Sequence, residues 1–279
     1  MKRCSIKKLV IMCLTITMIA ACLAGCGASQ GSAQTAKTDA LDKILADGKI
    51  RVGLNPPNEP TAFQDADGNW LGYDVDWGNE LGKQLGVEVE FVDVSADRIA
   101  GLTSDRVDVV IATMTATLER AKSVDFTIPY LRSGLKMAVR AGLEDQLKTI
   151  EDLNDPKWRV CVSAGATTEA LVQERAPKAT LVYLTSMQDY ILAMQEDKAD
   201  AFLEDSITVD YACQSSPSIV PQPTLYTSDP LCIAYQKGNP EFGRYLDMFV
   251  SNMFSSGWQG ERYAYWYGKE YTAPVFSPW

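Results

Sequence analysis

"VVIATMTATLER", Val109 to Arg120, decides how the rest of the chain is read. Val109-Val110-Ile111-Ala112 is an apolar run that suits a buried strand, and it stops abruptly. Thr113, Thr115 and Thr117 follow at every second position, ahead of Glu119 and Arg120. In open α/β sheets, ligands sit beyond the carboxyl ends of strands. A strand that ends in hydroxyls and an arginine is therefore a candidate wall of a polar site.

Strand-like and helix-like segments alternate on both sides of this stretch. Upstream, "ALDKILADGK" reads as a short helix ending at Gly48, Ile50–Leu54 as a strand, and Pro56–Pro60 ("PPNEP") as a rigid loop. Asp67-Gly68 marks a hairpin turn at 65–73. Asp74–Leu85 reads as a helix ended by Gly86, "VEVEFV" (87–92) as a strand and Asp97–Leu102 as a short helix. Downstream, "RVCVSAG" (159–165) runs into the helix pattern "ATTEALVQERA". "ATLVYL" (179–184), "DAFLED" (200–205) and "PLCIAYQKG" (230–238) read as strands, with a helix at 186–199. Pro217, Pro221 and Pro223 mark a loop, and Asn239 onward reads as a helix. The pattern predicts two α/β lobes on mainly parallel sheets, connected near 131–136.

The first residues belong to neither lobe. Lys2, Arg3, Lys7 and Lys8 precede an apolar run, Leu9 to Ala24, that is short of the ~20 residues a spanning helix needs. Residues 1–25 read as a secretory signal. Leu23-Ala24-Gly25-Cys26 resembles the lipobox of bacterial lipoproteins, in which the cysteine is lipidated. A lipid on Cys26 would anchor the protein to a membrane without spanning it. Residues 27–38, "GASQGSAQTAKT", are small and polar and read as a tether.

The net charge of −10 becomes more negative once the four basic residues of the signal are removed. An acidic chain is a poor partner for nucleic acid. There is no histidine, which excludes Ser-His and Cys-His catalysis and histidine metal sites. No metal or cofactor is expected. Of the cysteines beyond Cys26, Cys213 and Cys232 are a candidate bridge, with three free thiols (Cys161 included) an equal reading.

Three strand ends carry polar groups suited to one ligand class. The first holds Thr113, Thr115 and Arg120. The second, "SAGATTEAL", feeds a helix whose first N–H groups, around Ala166 and Thr167, are free for an anion. The third, "DAFLED", ends in Glu204 and Asp205. An α-amino acid needs a cation for its carboxylate and an anion for its ammonium. Arg120 offers a bidentate fork, Asp205 an anion, and the threonines hydroxyls that donate or accept. Taken singly, Arg120 suits an ion pair with Glu119 or Asp125, and Asp205 suits a helix N-cap. Their joint order favours the ligand reading.

At these residues the chain resembles the polar amino-acid group of bacterial extracytoplasmic solute-binding proteins, the receptors of ABC importers. The likeness runs from about residue 41 to 270. "GYDVD" within 72–76 is similar to the family's G-[FY]-D-V-D helix start, and 105–130 to its T-x-T-x-E-R…FS-x-PY signature. "GATTE" is similar to G-[TS]-T-x-E, and "ADAFLED" to DA-x-x-x-D. The resemblance implies an α/β, two-lobed periplasmic-binding-protein fold (type II) with two crossovers and the ligand in the interlobe cleft. It puts lobe one at 41–132 plus 236–279 and lobe two at 133–235, after a lipidated tether at 26–40. It gives Arg120 and Thr115 the carboxylate, Thr113 and Asp205 the ammonium, and Ala166 and Thr167 backbone N–H groups. At Ala166 the family often has a hydroxyl, which this chain lacks. A monomer is expected, on the extracytoplasmic face of the cell membrane, delivering a free amino acid to a permease.

Asn58 falls where the family often has a stacking aromatic ring, and Ser95 or Ala96 where it has a second apolar wall. Small, polar walls favour an acidic or polar ligand. Arg98, in "ADRIAGL", resembles a subgroup arginine that meets a side-chain carboxylate; supporting the loop or pairing with Asp97 is the equal reading. Glu59 is the candidate for a cationic side chain. No enzyme activity is expected. The alternatives are a cyclohexadienyl dehydratase-like enzyme using Glu59 or Glu204 as acid, and a ligand-sensing lipoprotein that docks to a membrane receptor.

Overall fold

The structure, a computed structural model, describes residues 38–272. The expected signal, Cys26 and the tether as far as Lys37 lie outside these residues. Asp39 caps two helices. Its carboxylate accepts from Leu41 N–H (3.0 Å) at the start of α1 (Ala40–Asp47) and from Phe242 N–H (3.0 Å) near the carboxyl end of the chain. Then follow β1 (Lys49–Leu54), a hairpin of β2 (Phe63–Gln64) and β3 (Trp70–Leu71), α2 (Tyr73–Leu85), β4 (Glu88–Asp93), α3 (Arg98–Thr103), β5 (Val109–Val110) and β6 (Val124–Ser133). Gly134 alone joins β6 to β7 (Leu135–Arg140). The chain continues through β8 (Arg159–Val162), α4 (Thr167–Arg175), β9 (Thr180–Tyr183), α5 (Met187–Gln195), β10 (Ala201–Asp205), α6 (Ser206–Ser215) and β11 (Ile219–Leu225). It returns through β12 (Asp229–Gln236) and closes with α7 (Pro240–Ser255) and α8 (Trp258–Tyr267).

Two five-stranded sheets result, ordered β4-β1-β5-β12-β6 and β11-β7-β10-β8-β9. Pairing in β4-β1-β5 and in β10-β8-β9 is parallel, whereas β12 is antiparallel to β5 and β6, and β7 to β10 and β11. The sheets are thus mixed where mainly parallel ones were expected. Only β7 and β12, the strands that carry the chain away from a crossing between lobes, run against the rest of their sheets. The remaining strands of both sheets point their carboxyl ends at the space between the lobes.

Two assignments from sequence are corrected. β12 was expected in the second lobe, but it pairs with β5 and β6 in the first sheet, so the second crossing falls at 226–229 rather than 235–236. The proline-marked loop around Pro221 and Pro223 is the edge strand β11, whose register shifts between Pro221 and Leu225. An edge strand leaves one side unpaired, so proline's missing N–H costs no ladder bond there. The candidate Cys213–Cys232 bridge is absent: Cys213 sits on α6, Cys232 on β12, and both are free, as is buried Cys161.

Each lobe has its own core. Tyr73, Trp77 and Tyr130 pack together in the first, with Tyr73 and Tyr130 stacked at 6.2 Å. The second splits around its sheet into a Met137–Val139–Leu203 layer and a Tyr190–Phe202–Val209 layer. The two crossings lie against each other. A Cβ on Gly134 would sit 2.2 Å from Thr227 O, and no rotamer relieves that overlap because the backbone fixes the Cβ position and the oxygen is itself a backbone atom. Gly134→Ala is expected to lower the melting temperature by roughly 5 °C, from about 1–3 kcal/mol of overpacking. An unchanged melting curve would show that the crossings separate at no cost.

Candidate functional site

The first-lobe wall is the turn after β5. Thr113 adopts φ 43, rare outside glycine, which swings the chain away from the sheet. Its N–H donates to Tyr130 Oη (2.9 Å), whose hydroxyl donates to Asp74 Oδ1 (2.7 Å). Burial pushes the Asp74 carboxyl up to about 7, against the pull of Tyr130 and the Thr113 amide. The turn is then pinned to β12: Cys232 N–H donates to Met114 O (3.0 Å), Ala116 N–H to Pro230 O (3.0 Å), and Thr115 bridges Leu231.

Arg120 begins a short 3₁₀ turn (Arg120–Lys122). Thr117 caps it, Oγ1 accepting from Arg120 N–H at 3.2 Å. The guanidinium folds back and donates to Thr115 O (2.9 Å). Neither acid weighed as its partner takes it: Glu119 pairs with Lys122 and Asp125 with Lys237. Among the described residues Arg120 has no ion-pair partner. Burial, then the nearby charge of Arg98, lowers its pKa to about 10, so it stays a cation at neutral pH. Arg98 is the first residue of α3. Asp97 is not its partner but the N-cap of that helix, accepting from Ala100 N–H at 2.9 Å. Arg98 gives one bond, to Ala112 O (3.3 Å).

The second-lobe wall is built by β8 and β10. α4 starts at Thr167 with Ala166 as an extended N-cap that has no side-chain bond, so the first-turn N–H groups are uncapped. Thr168 is buried and its Oγ1 has no partner. Ser163 Oγ and Tyr190 Oη bond at 2.9 Å. Asp205 stands at the N-cap position of α6, yet its carboxylate makes no capping bond, and Oδ1 is buried without a partner. The capping role weighed for it is therefore unfilled. Burial, then Glu204 and Asp229, raise its carboxyl well above the usual range. Burial likewise takes Glu204 up to about 7, opposed first by Arg98.

Asn58, Arg98, Thr113, Thr115, Arg120, Ala166, Thr167 and Asp205 all line one cleft. Glu59 does not: its Oε1 accepts from Tyr211 Oη (2.9 Å), tying the first-lobe loop to α6. A loop carboxylate already bonded across the rim is not placed to read a ligand side chain, which corrects that expectation. Thr168, Tyr190 and Glu204 also line the cleft. Of these, Glu204 was weighed only as an acid for dehydration. Strand alternation sets it opposite Asp205, but at a strand end the backbone turn brings both in. A hydroxyl at the second residue of a helix that starts at a strand end was the available signal for Thr168.

Two α/β lobes thus face each other across a polar cleft, cations mainly on one wall and anions on the other. That is the arrangement of a protein that captures a small polar solute between its lobes. The chain belongs to the bacterial extracellular solute-binding proteins, family 3, whose profile matches residues 50–269. It is 27% identical over 234 residues to the L-cystine-binding protein TcyJ of Escherichia coli K12, covering 83% of this chain and 87% of that one. It is 27% identical over 248 residues to the cyclohexadienyl dehydratase of Pseudomonas aeruginosa, covering 88% and 91%. Among solved structures, the ancestral amino acid-binding protein AncCDT-1, a precursor of cyclohexadienyl dehydratase, matches with TM-score 0.77 at 33% identity, over 81% of this chain and 99% of that one. Other relatives bear the names of glutamine-, arginine- and histidine-binding proteins.

Proposed function

We propose that this protein is the amino-acid receptor of an ABC importer, held by a lipid on Cys26 at the extracytoplasmic face and delivering its ligand to a membrane permease. One observation carries the reading: Arg120, a cation without an ion-pair partner among the described residues, lines the same cleft as Asp205, a carboxyl with a buried unpartnered oxygen. The ligand α-carboxylate takes the Arg120 fork, the Thr115 hydroxyl and the α4 N–H groups. Its ammonium takes Asp205, with Thr113 beside it. Arg120 belongs to the first lobe and Asp205 to the second, so a zwitterion held by both favours the closed arrangement. Arg98 at the wall favours an acidic or polar side chain. The protein acts as a monomer.

The Glu204 carboxyl, raised by burial to about 7, is the observation that favours an acid-catalysed dehydration instead. A prephenate-like diacid has no ammonium for Asp205, and so the binding reading is preferred. A thermal-shift panel of the twenty amino acids tests it. At least one free amino acid should raise the melting temperature, since a ligand at 100 times its Kd adds about 2.7 kcal/mol. A silent panel, or aromatic product from prephenate, would overturn it. Cys26→Ser should release the protein from the membrane fraction; retention there would remove the anchor.

A further inference from the structure

Once an amino-acid head group has taken Arg120 and Asp205, two charged side chains of the cleft remain. They are Arg98 from the first lobe and Glu204 from the second. Neither has an ion-pair partner among the described residues, so the two stand more than 4.0 Å apart. Each still feels the other as its strongest favourable charge. Arg98 spends one N–H on Ala112 O. Its other N–H groups have no hydrogen-bond partner among the described residues, and Glu204 has the Tyr190 hydroxyl and the Asp205 backbone N–H beside it. Beyond Arg120 and Asp205 the cleft therefore presents a donor fork and an acceptor carboxylate with a gap between them.

That gap discriminates by sign. A ligand carboxylate satisfies Arg98 but meets Glu204 as a like charge. An ammonium or guanidinium satisfies Glu204 and is repelled by Arg98. A neutral group with one acceptor and one donor face satisfies both without a new charge. Among the described residues the one aromatic ring lining the cleft is Tyr190, which is buried, so no exposed ring is there to stack a guanidinium or an aromatic side chain. We infer that Arg98 and Glu204 form a carboxamide subsite: the receptor selects glutamine or asparagine, with the amide oxygen on Arg98 and the amide NH₂ on Glu204.

This rests on the amino-acid reading above, and one set of titrations separates the two. Isothermal titration of the wild-type protein with glutamine, asparagine, glutamate, lysine, arginine and cystine should give glutamine or asparagine at least tenfold tighter than every other. Binding of glutamate, lysine, arginine or cystine as tightly as the amides overturns the subsite and leaves the receptor. Cystine is the pointed competitor, because its second head group also carries both signs. No binding by any amino acid overturns both readings. In Glu204→Gln, glutamate should gain at least tenfold on glutamine; in Arg98→Gln, lysine should gain likewise. Ratios unmoved in both variants overturn the assignment of these residues. The wild-type ranking decides the matter even where a variant fails to fold.

Discussion

Arg120→Ala is expected to abolish ligand-induced stabilisation while leaving the fold intact. The side chain has no ion-pair partner among the described residues, and its one bond, to Thr115 O, is local. Removing it also relieves repulsion from Arg98. The unliganded melting temperature should therefore change little. Binding should change a great deal. Deleting one partner of a desolvated, charge-paired contact costs about 2–5 kcal/mol, which is roughly a 30- to 5,000-fold rise in Kd. Arg120→Lys keeps the charge but loses the planar fork, and should fall between. Calorimetric titration of the best amino acid against the three proteins checks this. Affinity within threefold of wild type in the alanine variant would remove Arg120 from the site.

Asp205→Asn should have effects of opposite sign on stability and on binding. The carboxylate carries a buried oxygen without a partner and sits next to Glu204. Holding such a charge costs stability until an ammonium arrives, and the near-isosteric amide relieves that cost by about 1–3 kcal/mol. The amide cannot pair with the ammonium, so the ligand shift should vanish. The pH dependence follows from the raised carboxyls. A group whose folded value is raised holds its proton in the native state, so its contribution is full below the unfolded value and is lost as pH rises through the folded one. Glu204 and Asp74, both raised to about 7, place that loss between about pH 4 and 7, with Asp205 extending it upward. The unliganded wild type should melt progressively lower from pH 5 to 8, and the advantage of Asp205→Asn should widen over the same interval. A variant less stable than wild type at pH 8 would mean that Asp205 supports the fold through contacts other than its charge.

Periodicity carried the alternation of strand and helix, because burial on one face leaves its mark within ten residues. It could not say which sheet a strand joins. The apolar run in β12 looks the same in either lobe, and only its hydrogen bonds to β5 and β6 place it. The prolines of β11 hid a strand because local sequence does not reveal an edge. At the site, Arg120 and Asp205 were legible because a zwitterion demands both signs at strand ends. Glu59 misled for the converse reason: a loop acid carries no signal of a partner as remote in sequence as Tyr211. Arg98 was legible as a residue but not as half of a pair, since Glu204 approaches it from the other lobe.

The placement of β12 also sets an order of assembly. The strands of the second sheet run unbroken from β7 to β11, so that lobe has all its strands once Leu225 has emerged. The first sheet cannot close then, because β12 separates β5 from β6 and neither pairs directly with the other. The turn bearing Thr113 and Thr115 is clamped by the same late strand, through Met114, Ala116 and Leu231. A chain appearing from its amino end therefore has every strand of its second sheet before it has every strand of its first. The cleft wall that decides the reading of the sequence is among the last parts of the molecule to become rigid.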